Sequence, residues 1–149
     1  MATVSERYVR VPPRKRVFKL QPAPVISIVD DDGSIRSATQ NLVRSLGFRA
    51  YIFASAEELL NSEHLDETSC VITDLQMPGM SGADLQNVLI ARGRHLPVIF
   101  ITAFPNEKIR QQALRSGAIA FLTKPFDGEA IIKHIEVALD RNTPSGPRL

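Results

Sequence analysis

Four short apolar runs in this chain end on residues that can do chemistry. "VISIV" (25–29) is followed by Asp30-Asp31-Asp32, and "CVIT" (70–73) by Asp74. "PVIFIT" (97–102) ends on Thr102, and "AIAFL" (118–122) is followed by Thr123-Lys124-Pro125. Gathered in one place, these groups would make a cleft of carboxylates, a hydroxyl and an ammonium. Clustered carboxylates repel, and one is pushed toward its neutral form unless a cation joins them. A hard divalent cation with oxygen ligands relieves that repulsion. Mg²⁺ suits a site with few protein carboxylates and several waters. An aspartate in such a cleft can also act as a nucleophile and form an acyl phosphate. The metal and Lys124 would then stabilise charge on the transferring phosphoryl oxygens, and Thr102 would hydrogen-bond the product.

The elements that must gather these groups are legible in the hydrophobic pattern. With "RAYIF" (49–53) there are five strand-length runs rich in Val, Ile or Phe. Helical segments lie between them. The first carries Ile35, Ala38, Leu42, Val43 and Leu46 on one face and stops at Gly47. The second starts at Ser55, which is spaced to form a capping box with Glu58. The third starts at Ser81, with Asp84 spaced the same way, and ends near Gly93. The fourth is expected over 105–116, with Pro105 in its first turn, and stops at Gly117. The last buries Ile131, Ile135, Ala138 and Leu139. Asp32, just past the acidic pair, reads as the cap of the first helix.

Five strands alternating with five helices predict an α/β fold with a parallel sheet covered on both faces. In such sheets ligands bind beyond the carboxyl ends of the strands. The candidate groups all fall at that edge.

At 149 residues, one domain is expected, and the 44% of hydrophobic residues suits a packed core. No apolar run is long enough to span a bilayer, and no signal-peptide pattern opens the chain, so a cytoplasmic location is the default expectation. The single cysteine, Cys70, sits beside Val71-Ile72 and reads as a buried, reduced thiol. His64, His95 and His134 lack metal-ligand spacing and read as surface residues.

The net charge of +2 conceals an uneven distribution. Residues 1–24 hold six Lys and Arg against one Glu, residues 25–140 hold ten against fifteen acids, and residues 141–149 add two Arg. An acidic body of net charge −5 therefore carries a basic N-terminal arm, 1–24, and a short C-terminal tail or linker, 141–149. The body's charge argues against direct nucleic-acid binding by residues 25–140. The proline-containing arm is expected to be an extended, solvated segment, with docking onto an acidic partner or the acidic body of a neighbouring copy, or contact with nucleic acid or an anionic membrane, as the alternatives.

Four pieces, "IVDDD", "TDLQMPGMSG", "FITA" and "GAIAFLTKPF", occur in an order that resembles the response-regulator receiver domain of two-component signalling. The resemblance spans about residues 25–140. It implies a flavodoxin-like (βα)5 three-layer sandwich with strand order 2-1-3-4-5. Carried over residue by residue, it makes Asp74 the phosphoacceptor. Mg²⁺, or Mn²⁺ in its place, would be held by Asp30, Asp31, Asp74 and the main-chain carbonyl of Gln76. Thr102 becomes the switch hydroxyl, Lys124 the phosphoryl partner and Phe121 the aromatic switch. The Lys124-Pro125 bond is expected to be cis. The implied donor is a sensor histidine kinase or a histidine phosphotransfer protein. Phosphorylation would remodel the face of helix four, strand five and helix five. Dimerisation on phosphorylation, a downstream protein partner, or a C-terminal output domain would follow. The last two pieces most resemble receivers that precede a helix-turn-helix output domain. The loop "AFPNE" (103–107) departs from the family's usual Ala-His-Gly-Asp and is expected to alter kinetics or partner choice.

A turnover enzyme is the rival class. Phosphohydrolases of haloacid-dehalogenase type also use a strand-end Asp, with a second Asp two residues later as general acid. Here that position is Gln76, whose amide cannot donate and recover a proton. A nucleotide-binding domain fits less well, because the chain has neither G-x-G-x-x-G nor a P-loop.

Overall fold

The computed structural model describes residues 22–141, and the expectations for the rest of the arm and the tail lie outside the described residues. The strands are β1 (Val25–Val29), β2 (Arg49–Phe53), β3 (Thr68–Asp74), β4 (Val98–Thr102) and β5 (Ala120–Thr123). The helices are α1 (Gly33–Ser45), α2 (Ala56–Leu60), α3 (Gly82–Ala91), α4 (Glu107–Arg115) and α5 (Gly128–Arg141). All strands pair in parallel, in the order β2-β1-β3-β4-β5. This is the five-stranded α/β sandwich that the sequence predicts.

Burial explains why the runs become strands. Every residue of β1 and β4 is buried, as a sheet covered on both faces requires. Edge strand β2 is only partly buried, with Ala50 in the cluster on one face of the sheet and Phe53 in the cluster on the other. Its residues Ala50 and Phe53 turn inward while Arg49 and Ile52 stay exposed. The core divides into two clusters. One packs α2, α3 and α4 against the sheet through residues such as Leu59, Leu85, Leu89, Phe100 and Ala113. The other packs α1 and α5 through Val43, Ile72, Ile101, Ile131 and Ile135.

Several boundaries differ from the sequence expectation, each for a visible reason. β3 begins at Thr68, two residues early, because tertiary partners satisfy that polar residue. Thr68 Oγ1 donates to the His64 carbonyl at 2.8 Å and accepts from Ser27 Oγ at 2.7 Å. β5 starts at Ala120 rather than 118. Gly117, at φ 104, turns the chain out of α4, and Ala118 N–H then bonds back to Ala113 O at 3.0 Å. Pro105 lies outside α4, whose cap is Asn106 accepting from Ile109 N–H at 3.1 Å. Ser55 caps α2, but Glu58 reaches past it to Ala54 N–H, so the reciprocal half of that box is displaced by one residue. The box at α3 is complete, with Ser81 and Asp84 bonding each other's N–H groups. Ala38 is exposed, and Thr39 occupies the buried position beside Val43. His64 is half-buried rather than at the surface. Its ring stacks on Tyr51 with centroids 3.7 Å apart, and its Nδ1 bonds Glu67 at 2.7 Å.

Candidate functional site

The strand ends place the predicted groups along one edge. β1 and β3 are neighbours, so Asp30, one residue past β1, comes to lie beside Asp74, the last residue of β3. Across the sheet Asp74 pairs with Ile101, and Thr102 pairs with Thr123, one residue before Lys124. Lys124 N–H is anchored to the Thr102 carbonyl at 2.7 Å, which sets the start of the ammonium's reach. The Lys124-Pro125 peptide bond is cis.

The ammonium bridges two carboxylates. Lys124 Nζ lies 3.1 Å from Asp30 Oδ2 and 3.2 Å from Asp74 Oδ2. Asp30 is wholly buried and Asp74 is 7% exposed, so these are pairs in a poorly solvated setting. Asp31 is exposed, yet one of its oxygens lies within 4.8 Å of oxygens from both Asp30 and Asp74. Three carboxylate oxygens at that separation can share one divalent ion, and hard oxygen donors suit Mg²⁺ or Mn²⁺.

Electrostatics follow from this crowding. Burial, and next the charge of Asp30, hold the Asp74 carboxyl above its ordinary value, while Lys124 and the Gln76 N–H pull the other way. Burial pulls the Lys124 ammonium down. Its bonds to Asp30 and Asp74 outweigh that, and it stands above the usual lysine value. A bound cation would complete the neutralisation that one ammonium begins.

The loops are fixed by backbone bonds. Asp32 N–H donates to Asp30 Oδ1 at 2.9 Å, while the Asp32 carboxylate caps α1 through Ser34 N–H and Ile35 N–H. Gln76 N–H donates to Asp74 Oδ1 at 3.3 Å. The Thr102 hydroxyl, fully buried, accepts from Phe104 N–H at 3.0 Å. Phe104 itself is 68% exposed beside the cleft. Phe121 stands apart from the carboxylates. It is half-buried on the α2–α3–α4 side of the sheet, its ring 6.2 Å from that of Phe100.

Three contributors escape a sequence reading. Arg36 Nη1 donates to the Asp30 carbonyl at 2.7 Å and holds the acidic turn from α1. Thr73 Oγ1 donates to the Asp74 carbonyl at 2.9 Å. Gly82 opens α3 directly against that same carbonyl. A Cβ there would lie 2.4 Å from Asp74 O and 3.1 Å from both Leu75 Cα and a Phe100 ring carbon. Gly82 is the residue among them whose lack of a side chain this close approach requires.

Comparison with known proteins decides the family. The model for "Response regulator receiver domain" matches residues 26–136. The chain belongs to the response regulator receiver family. This receiver is 37% identical over 118 residues to nodulation protein W of Bradyrhizobium diazoefficiens, covering 79% of this chain and 52% of that protein. It is 42% identical over 115 residues to response regulator protein TmoT of Ectopseudomonas mendocina, covering 77% and 52%. Among solved structures it resembles response regulator StyR with a TM-score of 0.75 and 39% identity, covering 80% of this chain and 61% of that one. The receiver thus spans about half the length of the curated relatives it matches. It is a signalling domain of two-component systems. No helix among the described residues is long and apolar enough to cross a membrane.

Proposed function

We propose that residues 25–140 form a phosphorylation-dependent switch in which Asp74 accepts a phosphoryl group from a phosphohistidine. The donor is a sensor histidine kinase or a histidine phosphotransfer protein, acting in the cytoplasm. The observation that carries this reading is Lys124 Nζ held between Asp30 Oδ2 and Asp74 Oδ2, with Asp31 in the same carboxylate group.

An Asp74 carboxylate oxygen attacks the donor's phosphorus. The O–P bond forms as the N–P bond breaks, and that electron pair leaves with the imidazole nitrogen. Lys124 turns from carboxylate partner to phosphoryl partner without leaving the cleft. Asp30, Asp31, Asp74 and the Gln76 carbonyl would hold Mg²⁺, which when bound neutralises charge on the phosphoryl oxygens. Gln76 stands where a hydrolase would need a second acid, so the acyl phosphate serves as a signalling state rather than a turnover intermediate.

The phosphoryl group adds about −1.5 to −2 charge. Thr102 now accepts from Phe104 N–H, and its own O–H is a donor suited to a phosphoryl oxygen. Its rotation opens space that Phe121 can fill, remodelling the face of α4, β5 and α5. Moving such an equilibrium from 1:99 to 99:1 takes about 5.5 kcal/mol. Two charge-assisted bonds at about 1.5–3 kcal/mol each supply that range. The remodelled face would then engage a second copy, a downstream protein or an output domain.

The test is mass spectrometry after incubation with acetyl phosphate and Mg²⁺. The wild-type chain gains one phosphoryl mass. An Asp74→Asn variant that gains the same mass would refute the assignment.

A further inference from the structure

A groove of about 270 Å³ opens between α1 and the β5–α5 loop, on the opposite side of the sheet from Phe121. Ile35, Ala38, Leu42, Pro125 and Phe126 give it apolar walls. Gly128 also lines it, 3.6 Å from the Leu42 side chain as measured from an ideal Cβ position. Four exposed acids, Asp31, Asp32, Asp127 and Glu129, flank the end where α1 and α5 begin.

The other end lies where the N-terminal segment enters the domain. Arg49 Nε donates to the Ala23 carbonyl at 2.8 Å, and Arg49 N–H donates to the Pro24 carbonyl at 3.0 Å. Arg49 opens β2 four residues after α1 ends at Ser45, so residues 23–24 are held at the edge of the sheet to which the chain returns from α1. Leu42 sits within one turn of the C-terminal end of α1.

The sequence outward from Pro22 matches the groove in order. Leu20 and Phe18 come first, spaced by two, so an extended chain shows both on one side. Arg16, Lys15 and Arg14 come next. Four residues of extended chain span up to about 13 Å, and the seven residues of helix from Ser45 back to Ala38 rise about 10 Å. The reach suffices.

We propose that residues 14–20 dock in the groove of their own domain, with Leu20 and Phe18 against Leu42 and Ala38. Arg14, Lys15 and Arg16 then lie over Asp31, Asp127 and Glu129. The apolar pair supplies contact area, and the basic triplet fixes direction, because a reversed segment would carry its cations away from the acids. A docked segment covers the face of α1 beside Lys124.

The full chain tests this. Cys70 is buried, with its thiol pushed up to about 12, so a Pro13→Cys variant takes a nitroxide label at the new position alone. Amide signals of Ser34, Ile35, Asp127 and Gly128 are expected to lose most of their intensity in the labelled chain. Phe18→Asp in that chain is expected to restore them, as is Ala38→Trp, which fills the groove from an exposed position. Broadening confined to residues near Pro24 and Gly47 would overturn the proposal, as would broadening that survives both substitutions. Mixing spin-labelled chain with isotope-labelled, nitroxide-free chain separates the sources. Signal loss in the nitroxide-free chain would place the segment on a neighbouring copy and overturn docking within one molecule.

Discussion

Gly82→Ala should unseat the site through a single methyl group. The new Cβ would stand 2.4 Å from Asp74 O, roughly 0.9 Å inside ordinary carbon–oxygen contact. Neither side can yield cheaply. Two of the clashing atoms, Asp74 O and Leu75 Cα, are backbone, and the third belongs to the fully buried Phe100. Overpacking of this kind costs about 1–3 kcal/mol, and backbone on two sides puts this case near the top of the range. Alanine recovers part of the helix penalty of glycine, at most about 1 kcal/mol and less at a first helical position. A net loss of about 2 kcal/mol remains, which at a urea slope of about 1.5 kcal/mol per molar lowers the midpoint by about 1.3 M. Relief requires α3 to back away, which strains the Gly82 N–H bond to Leu75 O, now 2.8 Å, and tilts Asp74. Phosphorylation by acetyl phosphate should therefore slow by about tenfold or more. Gly128→Ala is the matched control. Its Cβ meets only the Leu42 side chain at ordinary contact distance, so stability should hold or rise slightly. The same midpoint for Gly82→Ala and wild type would refute the packing argument.

Asp74→Asn should raise the Tm in metal-free buffer at neutral pH. Because the folded Asp74 carboxyl stands above its unfolded value of 3.8, ionising it opposes folding, so the gain should vanish as pH falls below 3.8. Lys124→Met leaves buried Asp30 without its cation and should destabilise the metal-free fold by about 3 kcal/mol at neutral pH. Calorimetry should show that loss shrinking on adding Mg²⁺. Cys70 should resist maleimide until the chain unfolds. Its folded thiol, raised from 9.0 to about 12, contributes stability that is complete below pH 9 and declines as pH rises toward 12. Denaturant midpoints across that range measure the decline.

The edge where the site forms was readable because the candidate groups stand within two residues of the last apolar residue of each run. Asp30 and Thr102 follow Val29 and Ile101 directly, and Asp74 and Lys124 come one residue further on, after Thr73 and Thr123. What escaped sequence reasoning depends on groups distant in the chain. Thr68 looks like loop until Ser27, forty-one residues away, satisfies its hydroxyl. Arg36 looks like a solvated helix arginine until the turn at Asp30 folds back onto it. Pro105 fits a helix start by its own geometry, but Asn106 offers an acceptor that Pro105 lacks, and the helix begins there. His64 carries no local sign of its stack on Tyr51, because the two rings come from different elements.

β5 is only four residues long, and its side chains alternate. Phe121 faces the cluster of α2, α3 and α4, while Leu122 faces that of α1 and α5. Lys124 follows two positions later. A displacement at the cleft would therefore reach both surfaces of the sandwich through one short edge strand. An engineer could read out either surface alone. A reporter fused against the α4 side and another against the α1 side would respond to the same event with independently tunable gain.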